Sequence, residues 1–189
     1  MRRVILQEFV TVDGFAAGPE GSTEFISRTT DSDPRIDQDL LEFIGTIDTI
    51  LLGADTYRMF AGFWPEATTD AEIVADALNA TPKVVFSRTL ERAPWGRWDE
   101  ARVVREDAAG EIRSLKREQG RDMVIWGSLS LARSLMDEGV IDEYQLFVCP
   151  VRLGSGDRLF AGDSATERLR LTETKTYESG TVLLRYRPV

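Results

Sequence analysis

The chain has 189 residues, with 32 acidic and 23 basic side chains, a formal charge of −9, one cysteine and no histidine. The missing imidazole excludes Ser-His-Asp and Cys-His machinery and histidine-ligated metal centres, and Cys149 alone excludes an internal disulfide or a thiolate zinc cluster. The acidic balance argues against nucleic-acid and membrane-surface binding, and no stretch has the length of a membrane span; one domain over residues 1–189, a cytoplasmic setting and a small-molecule partner are expected.

Residues 4–10 alternate in a β-rich composition, with Val4, Leu6, Glu8 and Val10 on one face and Ile5, Gln7 and Phe9 on the other, which reads as a strand. It stops at Asp13-Gly14, and Gly18-Pro19-Glu20-Gly21 punctuates a long loop of the lid or binding type that runs to Asp33-Pro34. Asp33 before Pro34 matches an N-cap with proline at the first helical position, and Ile36, Leu40, Phe43 and Ile44 recur at helical spacing. Capping is also the better account of Asp31-Ser32-Asp33 than a hard-metal site, which would need more clustered ligands.

Residues 49–52 predict a short buried strand ending at Gly53, 55–62 a helix, 71–78 a second helix capped by Thr69-Asp70, and 83–86 a strand. Beyond the connection Trp95-Gly96-Arg97-Trp98, residues 101–104 predict a strand and Asp107 opens a helix with Ala108, Ile112 and Leu115 on one side. Residues 123–126 make the next strand, and the helix after Gly127-Ser128 carries the stripe Leu129, Ala132, Leu135 and Met136. Residues 144–151, 169–177 and 181–186 are strand-like, and Ser179-Gly180 can turn the last pair into a hairpin. Cys149 in its apolar run reads as a packed small hydrophobe, and Gly154-Ser155-Gly156-Asp157 as a turn, since it opens no helix. The alternation implies an α/β fold with a mostly parallel sheet, helices on its faces and an antiparallel hairpin at an edge.

In such sheets ligands bind beyond the carboxyl ends of the parallel strands, where helix starts offer free N–H groups. Two junctions suit this, Gly53-Ala54-Asp55-Thr56 and Gly127-Ser128-Leu129-Ser130, and Ser87-Arg88 ends a third strand with a hydroxyl and a guanidinium suited to a ribose phosphate. Together they suggest a pyrophosphate-containing cofactor; singly, each can be a strand stop, a helix cap or a solvated turn. Asp13, beside the flexible Gly14, is the first choice for a proton donor, with a plain Asp-Gly turn as the alternative. Phe60, Phe63 and Trp64 can wall a planar substrate or serve as core or a dimer seam.

The motifs Thr11-Val12-Asp13-Gly14, Leu51-Leu52-Gly53-Ala54-Asp55-Thr56-Tyr57, Val85-Phe86-Ser87-Arg88, Trp126-Gly127-Ser128 and Gly139-Val140-Ile141-Asp142-Glu143, the last leading to Pro150-Val151-Arg152-Leu153-Gly154-Ser155-Gly156, come in an order that resembles the dihydrofolate-reductase-like family. The likeness is greater to its branch containing the C-terminal reductase domain of the bifunctional riboflavin-biosynthesis deaminase-reductase, and it spans nearly the whole chain. It implies a three-layer fold with a mainly parallel eight-stranded sheet, a homodimer, and NADPH-dependent hydride transfer to a small heterocyclic or imine-type substrate. By resemblance, Gly53, Ala54, Asp55 and Thr56 meet the cofactor phosphates, Ser87 and Arg88 the adenosine ribose and its 2′-phosphate, and Gly127, Ser128, Leu129 and Ser130 the pyrophosphate and nicotinamide. Asp13 and Gly14 face substrate and nicotinamide, with Phe60 and Trp64 on the substrate side.

Two positions depart from that pattern. Ala54 stands where relatives often carry Arg, a contact that Arg58 one helical turn later can replace. Trp126 stands where riboflavin-pathway reductases commonly carry Glu, so the riboflavin-pathway substrate itself does not follow. The rival readings are a binding protein that sequesters a pterin-like or drug-like ligand without turnover, and a structural homo-oligomer on the same scaffold.

Overall fold

A strand that is apolar on both faces belongs at the centre of a parallel sheet. The first strand, β1 (Val4–Thr11), is buried along nearly its whole length and lies in the interior of the sheet, between β8 and β7. The computed structural model describes residues 1–30, 33–160 and 166–189. In chain order they form β1, β2 (Phe15–Ala17), α1 (Glu24–Thr30), α2 (Pro34–Ile44), β3 (Ile47–Gly53), α3 (Ala54–Ala61), α4 (Ala75–Ala80), β4 (Lys83–Phe86), β5 (Ala93–Trp95) and β6 (Trp98–Val104). There follow α5 (Ala108–Arg117), β7 (Asp122–Trp126), α6 (Leu129–Asp137), β8 (Glu143–Cys149), β9 (Asp157–Arg158), β10 (Leu169–Thr176) and β11 (Val182–Pro188).

The main sheet runs β10-β11-β8-β1-β7-β3-β4-β6-β5, and β2 pairs with β9 in a separate two-stranded sheet. From β8 to β6 the pairings are parallel; β11 and β10 at one edge and β5 at the other are antiparallel. One face buries Leu6, Leu51 and Ile125 against Ile112 of α5 and Leu135 of α6. The other buries Ile5, Leu52 and Val124 against Phe43 of α2, Tyr57 of α3 and Leu78 of α4. The three layers and the C-terminal hairpin agree with the fold read from the sequence.

Asp33 caps α2 as expected, accepting from the Arg35 N–H at 3.2 Å, and its other oxygen accepts from Glu178 N–H at 2.5 Å, tying the helix to the β10–β11 turn. Asp31 and Ser32, considered with it, lie outside the described residues. Cys149 is fully buried.

Four expectations change. The long loop after Gly14 contains β2 and α1, because Phe15-Ala16-Ala17 finds its strand partner at Asp157-Arg158, far along the chain. The Gly154–Asp157 turn leads into that partner. The helix expected over 71–78 starts at Ala75: Ala71 and Glu72 N–H both donate to the Thr68 carbonyl, making a turn where Thr69-Asp70 was expected to cap. The tryptophan connection is itself a hairpin, with Trp95 paired to Trp98 across Gly96-Arg97 and Gly96 at φ +56°. That hairpin adds β5, so the main sheet has nine strands among the described residues where eight were implied.

Candidate active site

The parallel strands β4, β3 and β7 end side by side. Gly53 is in register with Phe86, which precedes Ser87, and Leu51 with Ile125, which places Gly53 beside Gly127. On the far side of β7, pairing to β1 stops at Gln7 opposite Trp126, whereas β1 continues against β8 to Thr11 opposite Cys149. The sheet is therefore split at its carboxyl edge, between the last four residues of β1 and the turn into α6. Crevices of this kind, outside the ends of parallel strands, are where open α/β sheets take ligands.

Hydrogen bonds lock the two glycine corners to each other. Ser128 Oγ accepts the Gly53 N–H at 2.8 Å and donates to the Trp126 carbonyl at 3.1 Å, while the Ser128 N–H donates to Thr56 Oγ1 at 2.8 Å. These bonds hold Ser128 in the left-handed conformation, φ 55° and ψ 45°, that a serine seldom adopts. A side chain at Gly127 would crowd Thr56, with its Cβ 3.2 Å away, and would be strained at φ +55°. The hydroxyls of Thr56 and Ser128, read as phosphate donors, thus spend hydrogen bonds on joining the corners. The starts of α3 and α6 receive no side-chain cap, so backbone N–H groups of Ala54, Asp55, Leu129 and Ser130 face the same end of the sheet.

Ser87 and Arg88 sit one strand over. Ser87 Oγ accepts the Leu90 N–H at 3.1 Å, and Arg88 is exposed with no ion pair among the described residues. Arg58 is held by Asp55 at 2.6 Å on the outer surface of α3. Phe60 and Trp64 are not brought to this edge. They lie at the far end of α3, about 10 Å from Gly53 at the rise of an α-helix. There they pack edge to face at 6.2 Å against the α2–α4 core, and the Trp64 carbonyl accepts from Asn79 Nδ2. Their placement is that of core residues.

Asp13 is anchored. Thr11 Oγ1 donates to its Oδ1 at 2.6 Å, Leu153 N–H to the same oxygen at 3.3 Å and Gly154 N–H to Oδ2 at 2.8 Å. The Thr11 hydroxyl above all, with the Gly154 and Leu153 N–H groups, lowers its pKa to about 2. A carboxylate so engaged accepts hydrogen bonds and holds its charged form, and here it clamps the 153–154 loop. Gly14 supports the clamp at φ +82°, with its N–H on the Thr11 carbonyl at 2.9 Å and Arg158 donating to the Asp13 carbonyl at 2.7 Å.

Sequence reasoning passed over Glu8. It is 7% exposed, at the mouth of the split, and burial pushes its pKa up to about 8 against the opposing N–H groups of Phe9 and Gly127. Oε1 accepts the Phe9 N–H at 3.2 Å, and Oε2 is buried without a hydrogen-bond partner among the described residues. The signal was present: Glu8 is the one ionisable residue on the stripe Val4, Leu6, Glu8, Val10. On the opposite face Trp126 Nε1 donates to Gln7 Oε1 at 2.8 Å, and Gln7 Nε2 to Gln145 Oε1 at 2.9 Å.

An open cavity of about 650 Å³ lies at the other end of the strands, lined by Arg2, Thr49, Lys83 and Trp98 among others. None of the expected site residues borders it. Burial lowers the Lys83 pKa to about 7, and its ammonium donates to the Leu78 and Asn79 carbonyls at the end of α4, a helix-closing role. Among the described residues no cluster of metal-ligating side chains occurs, and no helix is long and apolar enough to cross a membrane.

A three-layer α/β domain with its crevice at the carboxyl edge of a mostly parallel sheet is the fold that RibD C-terminal domains share with dihydrofolate-reductase-like proteins. A family model described as the RibD C-terminal domain matches residues 2–183, and the chain belongs to that family. It is 30% identical over 188 residues to the uncharacterized protein YyaP of Bacillus subtilis, covering 98% of this chain and 94% of that one. In fold it is similar to a protein from Shewanella sp. PV-4 provisionally named for riboflavin biosynthesis, with a TM-score of 0.80, 19% identity and 99% of each chain covered. It also matches Acinetobacter baumannii RibD, with a TM-score of 0.71 and 19% identity, where all of this chain spans 58% of the longer one.

Proposed function

We propose that this protein is an NADPH-dependent reductase that delivers a hydride to a small C=N or C=O compound at the split between β1 and β7. The observation that carries the reading is the bonding of Gly53 and Thr56 to Ser128, which fastens two uncapped helix starts side by side on adjacent strands. Converging N–H groups with two helix dipoles behind them favour a pyrophosphate, and they do so locally against the overall negative charge of the chain. Arg88, exposed and unpaired among the described residues just after the neighbouring β4, supports the reading as a guanidinium free to bind a 2′-phosphate. The orphaned Oε2 of Glu8 at the mouth of the split fits a ligand that brings its own polar group.

A reduced nicotinamide supplies the hydride when bound; the chain holds the ring against the substrate and shuts out water. Trp126 and Gln7, joined at 2.8 Å, replace the carboxylate common in riboflavin-pathway reductases with an indole and an amide, which suits a flat, uncharged heterocycle. The family kinship supports a reductase and leaves the substrate open to such a compound.

Titration with NADPH, followed by quenching of tryptophan fluorescence with NADH in parallel, tests the reading. Saturable binding that favours NADPH is expected. A flat response to both nucleotides, with a pterin still bound, would replace the reductase by a binding protein.

A further inference from the structure

Glu8 occupies an unusual place for a carboxyl group. β7 stops pairing with β1 at Gln7, so the Phe9 N–H on the β7 side is taken by Glu8 Oε1 and not by a strand. The Gly127 N–H acts on the same carboxyl, so the side chain lies against the turn whose Ser128 is bonded to Thr56 and Gly53. Oε2 is shielded from water and meets no hydrogen-bond geometry with any donor among the described residues. Buried polar atoms in native proteins are nearly always satisfied, and an exception at a binding crevice is best explained by a partner that the ligand supplies.

Resting on the dinucleotide reading above, we propose that Glu8 recognises the carboxamide of the nicotinamide ring. A neutral carboxyl presents one donor and one acceptor side by side, the complement of a primary carboxamide, which presents the reverse pair. Turning the side chain into the split gives up the 3.2 Å bond from the Phe9 N–H to Oε1 and none on Oε2. Among the described residues no charged neighbour supplies the complement instead. Register puts uncharged Leu146 of β8 opposite Glu8, and Glu143 of β8 lies on the other sheet face, bound by Arg3 and Arg187. Arg133 of α6 donates to the Arg158 and Leu159 carbonyls, Arg158 to the Asp13 carbonyl, and Asp13 to none, being filled by Thr11, Leu153 and Gly154.

The test compares NADPH with 2′-phospho-ADP-ribose, which has the phosphates and lacks the nicotinamide, on the full chain, Glu8→Gln and Glu8→Leu. For the unaltered chain, NADPH affinity should fall about tenfold between pH 7 and pH 9 as the carboxyl ionises, beyond any change seen with 2′-phospho-ADP-ribose. Glu8→Gln, which keeps a donor and an acceptor and cannot ionise, should bind NADPH near normally at pH 7 and lose that dependence. Glu8→Leu should bind NADPH about tenfold or more weakly and bind 2′-phospho-ADP-ribose as before. If 2′-phospho-ADP-ribose binds everywhere and NADPH affinity ignores both pH and the Leu variant, the Glu8 assignment is wrong and the dinucleotide reading survives. If neither compound binds the unaltered chain, the dinucleotide reading fails and takes the assignment with it.

Discussion

Thr56 Oγ1 accepts the Ser128 N–H at 2.8 Å, and with the Gly53 N–H bond to Ser128 Oγ this ties the start of α3 to the start of α6. Ser128 is left-handed, so its N–H has no helical partner to fall back on. Thr56→Val preserves shape and branching but removes the acceptor, leaving a part-buried donor unsatisfied. Urea unfolding should show a loss of about 1–2 kcal/mol with an unchanged m-value, and NADPH affinity should drop several-fold because the two corners no longer hold one geometry. Full stability in Thr56→Val would mean that water takes the acceptor's place.

Arg88 is exposed at the end of β4 and carries no ion pair among the described residues, so its removal should cost the fold little. Its expected work is on the 2′-phosphate that distinguishes NADPH from NADH. Arg88→Ala should weaken NADPH about tenfold and leave NADH nearly unchanged. Equal weakening of both nucleotides would assign Arg88 to the shared part of the cofactor.

The elements that the sequence made legible are those whose signals are local. Asp33-Pro34 capped a helix, and the apolar run around Leu51 and Leu52 built a buried strand, because cap chemistry and continuous burial act within a few residues. What escaped was decided at a distance. Phe15-Ala16-Ala17 has too few residues to announce a strand and becomes one only when Asp157-Arg158 arrives beside it. Trp95 and Trp98 read as a connection until their cross-strand pairing makes them a hairpin. The same division holds in the site: Gly53 and Gly127 were recognisable as strand ends, whereas the bonds that join them depend on β3 and β7 being neighbours, which chain order does not state.

Asp13 shows how a motif can be placed well while the partners that occupy it stay hidden. Its position at a strand end was legible; the Thr11 hydroxyl and the Leu153 and Gly154 N–H groups that occupy its oxygens were not, since the last two lie some 140 residues along the chain. With its pKa lowered to about 2, the stabilising contribution of Asp13 is present above the usual carboxylate range and lost as pH falls toward 2. Asp13→Ala should therefore free the loop: amide exchange at Leu153 and Gly154 should accelerate at neutral pH, with the Phe9 amide, held by Glu8, unaffected. Unchanged exchange at both loop amides would show that the clamp is dispensable.

Glu8 has the opposite linkage, and stability alone can test it without any ligand. Its pKa rises from 4.5 to about 8 on burial, so the folded chain keeps a proton that the unfolded chain releases. The contribution is complete below about pH 4.5 and is lost as pH climbs to about 8, by roughly 3–5 kcal/mol from the 1.36 kcal/mol carried by each pH unit. Glutamine at the same position does not ionise and escapes that loss. Glu8→Gln should match the unaltered chain in urea unfolding near pH 4.5, gain on it steadily toward pH 8, and run parallel above. A constant offset between the two across this range would mean that the folded carboxyl titrates like an exposed one, in which case Oε2 finds water and the buried neutral acid at the head of the split does not exist.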